Sequence, residues 1–136
     1  MTKDCLIVWD KATFDVGIEC IDNQHRALVD SINELAFAID SEEEKSVLSA
    51  LFTKLYDYTK FHFKAEEAYF INLNQDDCLL HELQHKHFIE ELDRLIVADE
   101  HEATPEELLF FLTDWLLQHI QIEDKKFLQK HLKRLV

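Results

Sequence analysis

A single glycine and a single proline in 136 residues leave this chain without the residues that build hairpin turns and bulges, which argues against a strand-rich fold. No stretch reaches the ~20 apolar residues that span a bilayer. The first residues also lack the apolar core and small-residue cleavage site of a secretory leader, so a cytoplasmic location is expected. Cysteine is sparse as well. Cys5, Cys20 and Cys78 are odd in number and show no paired spacing, against both a disulfide framework and a zinc knuckle. All three are read as buried free thiols, since free cysteine behaves as a small hydrophobe. Basic residues are outnumbered two to one, 14 Lys and Arg against 28 Asp and Glu, for a formal net charge of −14. Phosphate backbones and anionic lipid would be repelled, so no nucleic-acid or membrane partner is expected.

What is present suits long helices with few connections. The chain is 47% hydrophobic, enough for a core, and its length suits a single domain over residues 1–136. Residues 1–21 hold Trp9, Phe14, Val16, Ile18 and Ile21 without helical spacing and read as an extended N-terminal arm. Residues 22–136 then carry four helical patterns. Asp22 is positioned to cap the first, whose stripe is Leu28, Val29, Ile32, Leu35, Ala36 and Ile39. Ser41 with Glu44 forms a capping-box pattern before a second stripe of Leu48, Leu51, Phe52, Leu55 and Tyr58, continuing to Tyr69 and Phe70. Asn72, Asn74, Asp76 and Asp77 mark a break. A third helix turns Phe88, Leu92, Leu95 and Ile96 inward and fades over residues 98–103. Thr104, Pro105 and Glu107 open the fourth, with its stripe of Leu108, Leu109, Leu112, Trp115 and Leu116. Short polar connections favour an all-α, up-down-up-down antiparallel four-helix bundle.

Polar residues interrupt those stripes. Carrying the second apolar face onward at three-and-four spacing passes through His62 and Glu66; carrying the third backwards from Phe88 reaches His85 and His81. His119 continues the fourth stripe and His25 begins the first. Each helix thus points a histidine inward, whereas His87, His101 and His131 fall off the inner faces or in a loop and are read as solvated. In an up-down-up-down bundle the inward positions lie at one end, within roughly one or two turns of each other at 1.5 Å per residue. Buried imidazoles and a carboxylate need partners, and a shared metal would satisfy them together.

The set His25, His62-x-x-x-Glu66, His81-x-x-x-His85 and His119-x-x-x-x-Asp124 resembles the seven-ligand pattern of hemerythrins. Trp9 with Val16-Gly17-Ile18 resembles the N-terminal segment of the bacterial members. The resemblance spans essentially the whole chain and implies a non-haem di-iron site that binds dioxygen reversibly. It implies His81, His85 and His119 on one iron, His25 and His62 on the other, and Glu66 and Asp124 bridging both together with an oxo or hydroxo group. Two six-coordinate irons so ligated keep a single vacancy, at the iron with two histidines, open to dioxygen or a small anion such as azide. Leu28, Phe63, Trp115, Leu116 and Ile120 match the family's oxygen-pocket positions; each also suits ordinary core packing. One spacing conflicts with straight-helix geometry: five residues put Asp124 about 140° from His119, and Glu123, four away, aligns better. The family pattern favours Asp124, which requires a locally widened helix or an approach from its flank.

The expected role is an oxygen carrier, storage or delivery protein rather than an enzyme, with its protein client unspecified. A di-iron oxidase or peroxidase is the principal alternative. Ferritin-like sites draw on about four carboxylates with two Glu-x-x-His motifs, whereas this chain has that spacing once, at Glu82 to His85, and its inward set is rich in histidine. Iron storage, or an oxygen or redox sensor acting through a separate partner, are further alternatives.

Overall fold

The computed structural model describes residues 7–97 and 104–132. Among these, α1 (Lys11–Phe14) precedes four long runs: α2 (Glu19–Asp40), α3 (Lys45–Phe70), α4 (Gln75–Val97), and a last one made of α5 (Pro105–Gln118), a π-helical turn (His119–Asp124) and α6 (Lys125–Leu132). No strand occurs among the described residues. The four runs form an all-α bundle in which α2 packs on α3 and α5, and α4 packs on α3 and α5. Leu28, Ile32, Leu35, Leu55, Phe88, Leu92, Leu112 and Leu116 fill its centre, so the inner faces follow the three-and-four stripes of the sequence. The side chain of Ile96, and residues Cys5 and His101, lie outside the described residues.

The segment before the bundle is not uniformly extended. Asp10 caps α1 through the Ala12 N–H at 3.1 Å, and Trp9 stacks on Phe14 with ring centroids 4.8 Å apart. The residues before α1 are pinned to α2 by a reciprocal pair, Ile7 N–H to Asn33 Oδ1 and Asn33 Nδ2 to the Ile7 carbonyl, both 2.8 Å. Helix α2 starts at Glu19, with Ile18 at the cap position, so Asp22 is not its N-cap. Asp22 lies inside the first turn, and its carboxylate accepts from the Val16 N–H at 2.7 Å and the Gly17 N–H at 3.3 Å. Gly17 has φ of +97°, a conformation that favours glycine, and the chain reverses there into α2.

Two other helix starts differ from the sequence patterns. Ser41 ends α2 rather than opening α3; Glu44 is the cap residue of α3 and makes no side-chain cap bond. Asn74, inside the expected break, accepts from the Asp77 N–H at 2.9 Å and so caps α4. The fourth start is as expected: Thr104 accepts from the Glu107 N–H at 3.1 Å and Pro105 occupies the first turn. No helix among the described residues is long and apolar enough to cross a membrane.

Candidate metal centre

At one end of the bundle α2, α3, α4 and the π-turn bring His25, His62, Glu66, His81, His85, His119 and Asp124 together, all buried. Two overlapping sets arise: Glu66, His81, His85, His119 and Asp124 in one, His25, His62, Glu66 and Asp124 in the other. In each set one ligating atom per residue lies within 4.8 Å of the rest. The two carboxylates belong to both. Glu66 turns Oε1 toward His81 Nε2 (2.8 Å) and His85 Nε2 (3.1 Å), and Oε2 toward His62 Nε2 (3.0 Å) and His25 Nε2 (3.3 Å). Asp124 likewise turns Oδ1 toward His81 Nε2 (2.7 Å) and Oδ2 toward His25 Nε2 (3.0 Å).

Asp124 reaches the cluster because the helix widens where the ligand spacing requires it. A π-turn closes its hydrogen bonds from i to i+5, so a residue five positions on returns to the same face. His119 and Asp124 are the first and last residues of that turn. Glu123 points elsewhere: half-buried, it accepts from Gln84 Nε2 at 3.1 Å.

The atoms of the cluster do not satisfy one another. His62 Nε2 and Asp124 Oδ2 are buried without an aligned hydrogen-bond partner. His85 Nε2 and His119 Nε2 face each other at 2.8 Å. Convergent lone pairs of this kind are costly unless a cation takes them up, and imidazole with shared carboxylate is a donor set for a divalent first-row metal. The charges agree. Burial pulls the His25 imidazole down, but the Asp124 and Glu66 carboxylates outweigh it and raise it to about 9; His81 is raised to about 9 against the same opposition. His119 goes the other way, pushed down by burial. Burial opposes the ionised form of Glu66, yet the surrounding histidines hold it well below the ordinary glutamate value. Asp124 is also lowered, with burial and the Glu66 charge opposing and His119, His25 and His81 prevailing.

Aromatic rings fix the imidazoles. Phe63 stacks on His85 at 3.8 Å and 2°, and Trp115 on His119 at 4.5 Å and 17°. Leu28, Phe63, Leu116 and Ile120 all belong to the buried core, with half-buried Trp115 packed against it. Each stands one position or one turn from a cluster histidine. Two groups that no stripe or motif marks stand behind the imidazoles: Gln24 Oε1 lies 2.7 Å from His62 Nδ1, and Glu67 Oε2 lies 2.7 Å from His85 Nδ1. Their adjacency to His25 and Glu66 was the only available signal. His131, read as solvated, is instead buried, its Nε2 2.8 Å from Asp77 Oδ2 and its ring against Phe127, because the fourth run continues through α6 alongside the first turn of α4; His87 is exposed. Cys78 is buried, its thiol pushed up to about 11 by burial, whereas Cys20 is exposed on the first turn of α2.

Residues 16–130 match the hemerythrin HHE cation binding domain. The chain is 26% identical over 129 residues to a bacteriohemerythrin of Clostridium acetobutylicum, covering 90% of this chain and 99% of the relative. It is 31% identical over 119 residues to a bacteriohemerythrin of Pseudomonas aeruginosa, covering 87% and 76%. A hemerythrin-like protein of Naegleria gruberi is 32% identical over 119 residues, with 88% of each chain covered. Among solved structures, the crystal structure of a hemerythrin mutant superposes with a TM-score of 0.78 at 25% identity, covering 94% of this chain and 98% of that one.

Proposed function

The chain belongs to the hemerythrin family, and we propose that its buried cluster holds two non-haem irons and binds dioxygen reversibly, as a binding protein and not an enzyme. The observation that carries the reading is the composition of the cluster: five imidazoles and two shared carboxylates, all buried at one end of the bundle. His81, His85 and His119 would hold one iron, His25 and His62 the other, with Glu66 and Asp124 shared and an oxo or hydroxo group completing the bridge. When bound there, two ferrous ions would supply the two electrons that reversible capture of dioxygen requires.

The protein's own part is to hold and to exclude. Glu66 and Asp124 keep the two positions at a fixed spacing, and the stacked Phe63 and Trp115 stop His85 and His119 from turning. Leu28, one turn from His25, and Ile120, next to His119, are 0% and 1% exposed and would form part of an apolar wall around the cluster, where an open position at the two-histidine iron would receive dioxygen or a small anion such as azide. A dry wall there withholds the protons that would turn binding into irreversible oxidation. A ligand set with few carboxylates stabilises high-valent iron less than a ferritin-like one, which favours binding over cleavage of dioxygen.

Iron analysis with an anaerobic-to-aerobic difference spectrum tests the reading. Two irons per chain and an absorption change that reverses on removing oxygen, over repeated cycles without reductant, are expected. Irreversible oxidation on first contact, or steady turnover of a reductant, would instead mark an oxidase.

A further inference from the structure

Two imidazoles of the cluster are gripped from behind, and the groups that grip them differ in charge. On the three-histidine side the partner of His85 Nδ1 is a carboxylate oxygen, Glu67 Oε2, at 2.7 Å. On the two-histidine side the partner of His62 Nδ1 is an amide oxygen, Gln24 Oε1, also at 2.7 Å. Both Nε2 atoms face the cluster, so each Nδ1 carries the proton and donates outward. The lengths are equal, and the charge behind them is not. Each grip also crosses between helices: Gln24 reaches from α2 to α3, and Glu67 from α3 to α4. His85 cannot evade its partner, because Phe63 lies parallel to its ring at 3.8 Å.

A carboxylate accepting the far N–H of a metal-bound imidazole increases the basicity of that ligand and adds a negative charge near the metal, whereas an amide only orients the ring. We propose that Glu67 and Gln24 are positioning residues that make the two metal positions electronically unequal. Glu67, through His85, favours the higher-charged metal state at the three-histidine position. Gln24, through His62, holds its ring without adding charge and leaves the two-histidine position with the lower-charged state. In a half-oxidised centre the ferric ion then resides with His81, His85 and His119, and the ferrous ion with His25 and His62. The inference rests on the proposed pair of irons but not on oxygen binding.

A mediated redox titration of the iron-loaded protein, reduced stepwise with dithionite, reads both one-electron steps. Glu67→Gln keeps the acceptor and removes the charge, so the more easily oxidised iron should move to higher potential. Gln24→Glu adds a charge at the other position, whose potential should fall. Both changes narrow the gap between the two steps. A tenfold change in the oxidised-to-reduced ratio at fixed potential, about 59 mV for one electron, is the scale expected, and Glu67→Asp should restore most of it. Midpoints that stay put in both charge variants, or a gap that widens, would overturn the proposal. If Glu67→Gln fails to retain iron, Gln24→Glu alone decides, since it removes no hydrogen-bond acceptor. A wild type that binds no pair of irons would defeat the functional reading itself, a result separable by metal analysis before any titration.

Discussion

Asp124 and Glu123 are adjacent carboxylates in different surroundings, one against the imidazoles of His25, His81 and His119 and the other against a glutamine on α4. Asp124→Ala should therefore strip metal from the protein, an effect larger than the roughly 10–100-fold that loss of an outer partner costs. Glu123→Ala should leave metal content near the wild-type value. Elemental analysis after desalting distinguishes them, and equal losses would contradict the placement. Leu28, fully buried beside His25, carries two burdens. Leu28→Ala should cost about 2–5 kcal/mol by denaturant melting and should also speed oxidation of the reduced protein in air. The histidines and Glu66 were legible because so many polar residues interrupt the apolar stripes at one end of the bundle, whereas a single one such as Thr59 is satisfied by its own helix, its hydroxyl donating to the Leu55 carbonyl at 2.7 Å. Gln24 and Glu67 were not, since they lie off the stripe and are disclosed only by which way an imidazole N–H points. His131 was hidden for the opposite reason: its partner Asp77 lies 54 residues away, beyond the reach of any local pattern.

Helix faces were readable from spacing, and helix ends much less so. Thr104-Pro105 fits a start because the cap and the ring act within one turn. Asp22 and Ser41 have the right chemistry for caps, but demands of the adjoining backbone claimed them: Asp22 secures the Val16-Gly17 turn, and Ser41 closes α2. The π-turn left its only trace in a five-residue ligand spacing that a straight helix cannot serve. The end of α2 shows what such demands cost. There the Glu43 N–H bonds the Ala38 carbonyl at 3.1 Å and the Glu42 N–H bonds the Ile39 carbonyl at 3.0 Å, a Schellman closure in which Glu42 sits at φ of +54°. That conformation penalises a side chain and suits glycine. Glu42→Gly should accordingly raise unfolding stability by about 1 kcal/mol, read as a higher denaturant midpoint at unchanged slope. A lower midpoint would show that the freedom gained by the unfolded chain outweighs the relief.

For the molecule as a whole, the cluster makes stability depend on pH in opposite senses with and without metal. In the metal-free protein His25 and His81 sit at about 9 against an ordinary 6.5. A raised histidine contributes stability in full below its unfolded value and loses it as pH climbs through the folded one. Metal-free protein should thus lose stability between about pH 6.5 and 9. On the acid side Glu66 and Asp124, both lowered, stabilise the fold above the ordinary carboxylate range and cease to do so as pH falls below it. Metal reverses the alkaline limb, because imidazole must be neutral to ligate and uptake expels the protons that His25 and His81 hold. Affinity, and with it the stabilisation conferred by binding, should rise over the interval in which the bare protein weakens. Melting temperatures of chelator-stripped and cobalt- or iron-loaded protein at pH 6, 7.5 and 9 should diverge, and loading at pH 7.5 in weak buffer should acidify the solution. The net charge of −14 adds general self-repulsion at high pH, but about 1 M salt screens exposed charges and barely touches a buried cluster. The divergence should therefore persist in salt; parallel melting curves across the interval would mean that these imidazoles are neutral before any metal arrives.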